Sequence, residues 1–372
     1  MDETTFRILS VLTSELGSNI SINLLTRKIK ERFGTGFYKN IYDKTKELEK
    51  QEILSITEIG KSSIIGLNYK DYLLTDILTE MELKRKKSFT EKNNEIKSLL
   101  IELENNFNGF YTTESILIVN SERNMRLNKA EFLFLLRTPG IMIIGEKRNS
   151  VENKKQLLQS EIECIHSMIK MIAGKLNLRI DYLILENKEF LELLKSDENN
   201  SLKEMLADKI VLTGEQAFWT RIRIALKEGN RIKVETKEIN PAKISEKNLA
   251  FNLNRFGYKE AGITLEQGQK VCLEKIVTAI LLQGNARRIE AIPVLLSKNK
   301  TIYNLLIFLS RKYGKLSELL GLLKALNKLT KNEAIKRETG KTINLLEQNF
   351  KVKEKKFDLK SIKQKMVLYN AN

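Results

Sequence analysis

The chain has 372 residues, 42% hydrophobic and 30% charged. That balance builds cores rather than disorder, and the length suits two or three domains. The apolar runs at 133–136 and 141–144 are far shorter than the ~20 residues a membrane helix needs. Met1-Asp2-Glu3 is acidic and lacks a signal-peptide core. Two cysteines and one histidine exclude a disulfide scaffold and a zinc finger. The expectation is a cytoplasmic protein with no membrane partner and no cofactor.

Lysine and arginine total 64 against 47 acids, a net charge of +17. Residues 1–90 carry 15 basic and 13 acidic side chains, residues 91–254 carry 25 and 24, and residues 255–372 carry 24 and 10. The excess sits in the C-terminal third, where it points to a polyanionic partner or to a lysine-rich solvated surface.

Phe6, Ile8, Leu9, Leu12 and Leu16 fall on one face of a first helix that ends at Gly17-Ser18-Asn19. Ser21 can cap a second helix bearing Ile22, Leu24, Leu25, Ile29 and Phe33. After Gly34-Thr35-Gly36, a third helix over 37–50 turns Ile41, Thr45 and Leu48 inward. Residues 52–58 and 64–69 then read as two strands joined at Ile59-Gly60-Lys61-Ser62-Ser63.

Three short helices followed by a hairpin resemble a winged helix-turn-helix domain, assigned to residues 1–69. The resemblance implies that the third helix enters the DNA major groove and the hairpin wing touches the backbone. Carried onto this chain, the nucleic-acid-binding residues are Tyr38, Lys39, Asn40, Tyr42, Lys44 and Lys46, with Lys61 and Ser62 at the wing tip. Lysines would neutralise phosphates, and Asn40 could read a base edge. Winged helices also bind proteins, and Glu47, Glu49, Glu52 and Glu58 dilute the local charge. Residues 70–105 form a linking helix, with dimerisation as its expected role and a homodimer as one outcome.

Residues 106–240 alternate strands with helices, the mark of an α/β domain. Strands fall at 115–120, 131–136, 141–144, 179–185 and 209–212, with helices at 151–176, 188–194, 202–206 and 215–226. Thr138-Pro139-Gly140 is turn chemistry. Residues 231–239 read as a strand or hairpin arm before Asn240-Pro241. From Ile180 to Trp219 the order resembles a minimal, polymerase-beta-like nucleotidyltransferase, with Thr213 where Tyr is usual. Active members carry a Gly-Ser pair, two acids one residue apart on the next strand and a third acid, which together hold two divalent ions. This chain has Asn120-Ser121 and Lys129-Ala130-Glu131 at those places, leaving Glu131 and Asp181. The resemblance therefore implies the fold without catalytic or metal-ligating residues. Asp181 pairing with Arg179 is the simple alternative. His166 and Cys164, two residues apart, do not share a helical face, so His166 reads as partly buried.

Residues 241–350 read as an all-α subdomain. One helix carries Val271, Ile276, Val277 and Ile280 and ends at Gly284, and Asn285 caps the next. Pro293 kinks that helix or opens another turn. Two further leucine-faced helices flank Gly314. Arg287 and Arg288 fit an anion contact or an ion pair. Residues 351–372 read as a flexible basic tail unless Phe357, Ile362 and Met366 dock, in which case its lysines line a solvated face. The fold class is thus α/β and α+β multidomain: winged helix, transferase-like domain and helical subdomain. The order suggests an archaeal-type DNA-binding transcriptional regulator, akin to antitoxins or repressors of toxin–antitoxin systems. The alternatives are an active nucleotidyltransferase acting on RNA or protein, and a winged-helix protein-interaction adaptor.

Overall fold

A computed structural model describes residues 1–60, 62–92, 94–107, 112–120, 129–137, 151–227, 238–260 and 267–371. Lys61, the expected turn at 138–140, the strand at 141–144 and most of the arm at 231–239 lie outside the described residues. The fold is mixed α/β with two small sheets.

α1 (Glu3–Leu12) starts where the Asp2 carboxylate accepts from Thr5 N at 2.9 Å, which satisfies one of the donors a helix start leaves open. β1 (Ile20–Ser21) is a short strand that the periodicity does not reveal. Ser21 then caps α2 (Ile22–Phe33), accepting from Leu24 N, and Gly34 closes that helix in the left-handed conformation. α3 (Tyr38–Lys50) buries Ile41, Thr45 and Leu48. β2 (Leu54–Ile59) and β3 (Ser62–Leu67) form an antiparallel hairpin, and β1 adds to β3, giving the order β1-β3-β2. The linking segment is two helices, α4 (Leu73–Lys92) and α5 (Asn94–Phe107).

The second sheet contains β4 (Thr113–Val119), β5 (Lys129–Leu136), β6 (Arg179–Glu186) and β7 (Lys209–Thr213) in the order β6-β5-β4-β7. β5 and β6 are parallel, whereas β4 is antiparallel to both β5 and β7. Side chains alternate between its faces. Leu117, Val119, Leu133, Leu135, Leu183, Leu185 and Val211 join one continuous core with α1–α4. Ile116, Ile118, Phe132, Phe134, Tyr182 and Ile184 face α5 and α6 (Val151–Leu176) on the other side. α7 (Asn187–Lys195), α8 (Ser201–Ala207) and α9 (Glu215–Lys227) complete the first core, with Trp219 fully buried.

The joint between α4 and this sheet is polar at its centre. Glu82 is fully buried and pairs with Arg85 at 3.0 Å. Lys209, 4% exposed, donates from Nζ to the carbonyls of Thr13 (3.1 Å) and Leu206 (3.2 Å). Its ammonium also lies 5.1 Å from the Trp219 ring, a favourable cation–aromatic placement.

The C-terminal residues build a separate helical core from α10 (Glu246–Arg255), α11 (Leu273–Gln283), α12 (Ala286–Ile289), α13 (Ile292–Lys298), α14 (Tyr303–Lys312), α15 (Leu316–Leu329), α16 (Glu333–Gln348) and α17 (Leu359–Leu368). Pro293 lies in the first turn of α13, where its missing N–H costs nothing. α17 corrects the expectation of a flexible tail. Ile362 and Met366 are fully buried, and Val352 and Phe357 pack against the same core. Two buried and two half-buried apolar side chains fix a segment that composition alone leaves free.

Candidate nucleic-acid interface and the buried carboxylate pair

The outward side of α3 is aromatic at its start. Phe37 is 73% exposed and Tyr38 49% exposed, and the rings of Tyr38 and Tyr42 stack at 6.1 Å. They sit one helical turn apart, at i and i+4, so their side chains meet on one face. Lys39 and Asn40 are exposed beside them, with no side-chain partner among the described residues. Ser62 is exposed at the start of β3. Phe37 is the residue that sequence reasoning misses. The periodicity places it only as the start of a helix, and its position just before the first turn is the available signal.

Lys44 and Lys46 stand differently. Lys44 Nζ pairs with Glu47 at 2.7 Å and Asp2 at 3.1 Å, and Lys46 with Glu49 at 3.1 Å. Glu47 and Asp2 raise the pKa of Lys44, and Glu49 raises that of Lys46. The face therefore offers aromatic and polar groups at the start of α3 and compensated charge further along.

Arg288 corrects the expected anion contact. It is 7% exposed and pairs with Glu260 (Nη2 to Oε2, 2.7 Å) and with Glu246. Those two carboxylates raise its pKa, and it ties α12 to α10 from within the fold. Arg287 is exposed beside it, near the Tyr258 hydroxyl. The arginines are adjacent in sequence yet only one faces solvent.

The second candidate is the carboxylate pair. Glu131 and Asp181 are direct partners across β5 and β6 and are 1% and 3% exposed. Lys129 Nζ bridges them, 2.8 Å from Glu131 and 3.1 Å from Asp181. Lys312, at the end of α14, lies 3.1 Å from Glu131 and 2.9 Å from Glu238. Arg179 (3.5 Å) and Arg311 (3.8 Å) add to Asp181, and Asn120 Nδ2 donates to Glu131 at 2.9 Å. Burial alone would raise the Glu131 carboxyl; Lys312, Lys129 and Asn120 outweigh it and hold it at about 2.

This arrangement does not fit two divalent ions. The carboxylates that would hold them are already matched by two ammonium and two guanidinium groups, so a dication would add like charge to a site that cations already surround. Among the described residues no group of three His, Cys, Asp or Glu side chains could hold a metal. Sequence reasoning anticipates Lys129 and Arg179. It misses Arg311 and Lys312, which follow the last core leucine of a helix far along the chain. His166 is buried, with Nδ1 2.5 Å from the Tyr182 hydroxyl. Burial, followed by nearby Arg311, lowers its pKa to about 3 and keeps it neutral.

Among the described residues no helix is long and apolar enough to cross a membrane. No protein-family model, curated protein or solved structure matches the chain.

Proposed function

We propose that this chain is a DNA-binding transcriptional regulator that reads duplex DNA through the start of α3, presented by an N-terminal winged helix. We further propose that its middle region has a nucleotidyltransferase-like fold that carries out no transfer. The observation that carries the first reading is the exposed Tyr38-Lys39-Asn40 segment with its stacked Tyr38–Tyr42 pair. Asn can bond bidentately to adenine, tyrosine can contact sugar and phosphate, and an unpaired lysine can neutralise a phosphate. The second reading is supported by the cations that occupy the Glu131–Asp181 pair.

A gel shift against fragmented genomic DNA at several salt concentrations tests the regulator. Binding should include a preferred fragment. Asn40→Ala should reduce that preference by roughly tenfold, in line with about 1–3 kcal/mol for a good base contact. No binding at low salt removes the reading. Incorporation of labelled nucleoside triphosphate into RNA or protein, abolished by Asp181→Asn, would restore catalysis.

One observation favours a protein partner instead. Phe37 and Tyr38 are large exposed aromatics, and Lys44 and Lys46 are neutralised locally. Desolvated aromatic anchors are what protein interfaces use. A bound protein that survives Asn40→Ala and Lys39→Ala but dissociates on Phe37→Ala would identify the adaptor.

A further inference from the structure

The densest run of unpaired cations among the described residues lies toward the C-terminal end. Residues 351–365 hold seven lysines against Glu354 and Asp358. Glu354 pairs with Lys324 of α15 at 2.5 Å, whereas Asp358 caps α17 by accepting from Lys360 N at 2.9 Å and stays exposed. Lys365 pairs with Glu290 at 2.6 Å, and Lys355 stands 3.7 Å from Glu318. That leaves Lys351, Lys353, Lys356, Lys360 and Lys363, all exposed and with no side-chain partner among the described residues. Surface lysines elsewhere commonly have one, as Lys175 has Glu102, Lys270 has Asp197 and Lys300 has Glu192.

The backbone that carries these five lysines is held in place. Residues 351–358 form a strap across α15, where Lys355 N donates to Ser317 O at 3.0 Å. The strap lies so close to the helix that a Cβ on Gly321 would come within 1.9 Å of Lys355 O. Phe357 and Val352 pack beneath the strap, and Ile362 and Met366 anchor α17. Lys360 and Lys363, at i and i+3, share the outer face of that helix. An array of unpaired ammonium groups repels itself. Holding its backbone in place spares the cost of ordering the segment when an anionic partner neutralises it.

We propose that the strap and the outer face of α17 form a docking surface for the phosphodiester backbone of duplex nucleic acid, independent of base sequence. Phosphates match the surface because five unpaired point charges outnumber Asp358, the one exposed carboxylate among them without an ion-pair partner among the described residues. It also shows none of the aromatic groups that the start of α3 presents for contacts beyond the backbone. The inference does not require the α3 reading to hold, since backbone contacts bind DNA on their own.

The test uses the full chain and anisotropy with labelled duplexes of scrambled sequence, DNA and RNA in parallel, at ~50 to ~200 mM salt. A variant with all five lysines changed to Gln should bind roughly 10- to 100-fold more weakly at the low end. Its log–log salt slope should flatten by up to about 4.5, at ~0.9 for each of the five phosphates that are no longer neutralised. Its melting temperature should stay that of the wild type, because the five side chains hold nothing in the fold. A difference between the DNA and RNA arms identifies which duplex is preferred. Unchanged affinity and slope overturn the proposal, and so does a fall in melting temperature large enough to account for the weaker binding. Flotation with phosphatidylserine vesicles, with duplex binding absent, overturns it in favour of a membrane. Asn40→Ala serves as the cross-check. It should reduce fragment preference without changing the salt slope, so either surface can fail while the other stands.

Discussion

Two buried ionic sites in this molecule resolve the cost of burial in opposite ways. At the Glu131–Asp181 pair, carboxylates from adjacent parallel strands face Lys129, Lys312, Arg179 and Arg311. Attraction outweighs desolvation there, and Glu131 is held in its charged form. At the α4 joint, Lys209 contacts carbonyl oxygens and aromatic faces, with Glu82 as its main opposing influence. There desolvation wins and lowers Lys209 to about 7. A buried charge thus keeps its ordinary ionisation where full opposite charges touch it, and loses it where only dipoles do.

The sharpest way to break this comparison is to remove one cation from each site. Lys312→Met should destabilise the fold by about 1–3 kcal/mol, less than full orphaning, because Lys129 and Asn120 still hold the Glu131 carboxylate. Urea denaturation at neutral pH measures it. Lys209→Met should cost much less at the same pH, because the lysine already bears a desolvation penalty. Equal destabilisation would show that the two sites are alike.

The pH dependences should also diverge. Glu131 has a depressed folded pKa, so its contribution is complete above its ordinary 4.5 and is lost as pH falls toward about 2. Thermal melts over that range should show a fall in stability that shrinks in Lys312→Met. Lys209 has a folded pKa below its unfolded 10.5, so the unfolded chain binds more protons between about 7 and 10.5. Stability from this group therefore rises with pH across that window and is flat below it. Lys209→Met should flatten that rise, and an unchanged slope would assign the lysine an ordinary pKa.

The smallest expected effect concerns metals. Adding Mn2+ should leave the wild-type melting temperature unchanged. Lys129→Ser should respond little, since Lys312, Arg179 and Arg311 still oppose a dication at Glu131 and Asp181. A clear Mn2+-dependent rise in either protein, abolished by Asp181→Asn, would turn the carboxylate pair back into a metal site.

Much of the element order is legible because local patterns state it. Ile41, Thr45 and Leu48 mark the inner face of α3, and Ser21 and Gly34 bound α2. Continuous apolar runs mark β4, β5 and β6 as buried strands, while the division of their side chains between two cores comes only from the sheet. β1 escapes because two residues carry no period, and it exists only through its pairing with β3. The candidate site is legible in part. Lys39 and Asn40 are where the helix period puts them, outward. The compensation of Lys44 is not legible, since Asp2 reaches it from the far end of the domain's sequence.

The sequence alone determined many of the helices and strands, their apolar faces and how the net charge is distributed, because spacing and capping act over a few residues. Tertiary structure alone decided the status of individual charges. Arg287 and Arg288 are chemically identical neighbours, yet Glu246 and Glu260 bury one and leave the other in solvent. Lys312 and Lys356 are likewise both lysines, one sealed against Glu131 and the other exposed on a strap. Ionisation and availability depend on partners and water within a few ångströms, and folding brings those partners from distant parts of the chain.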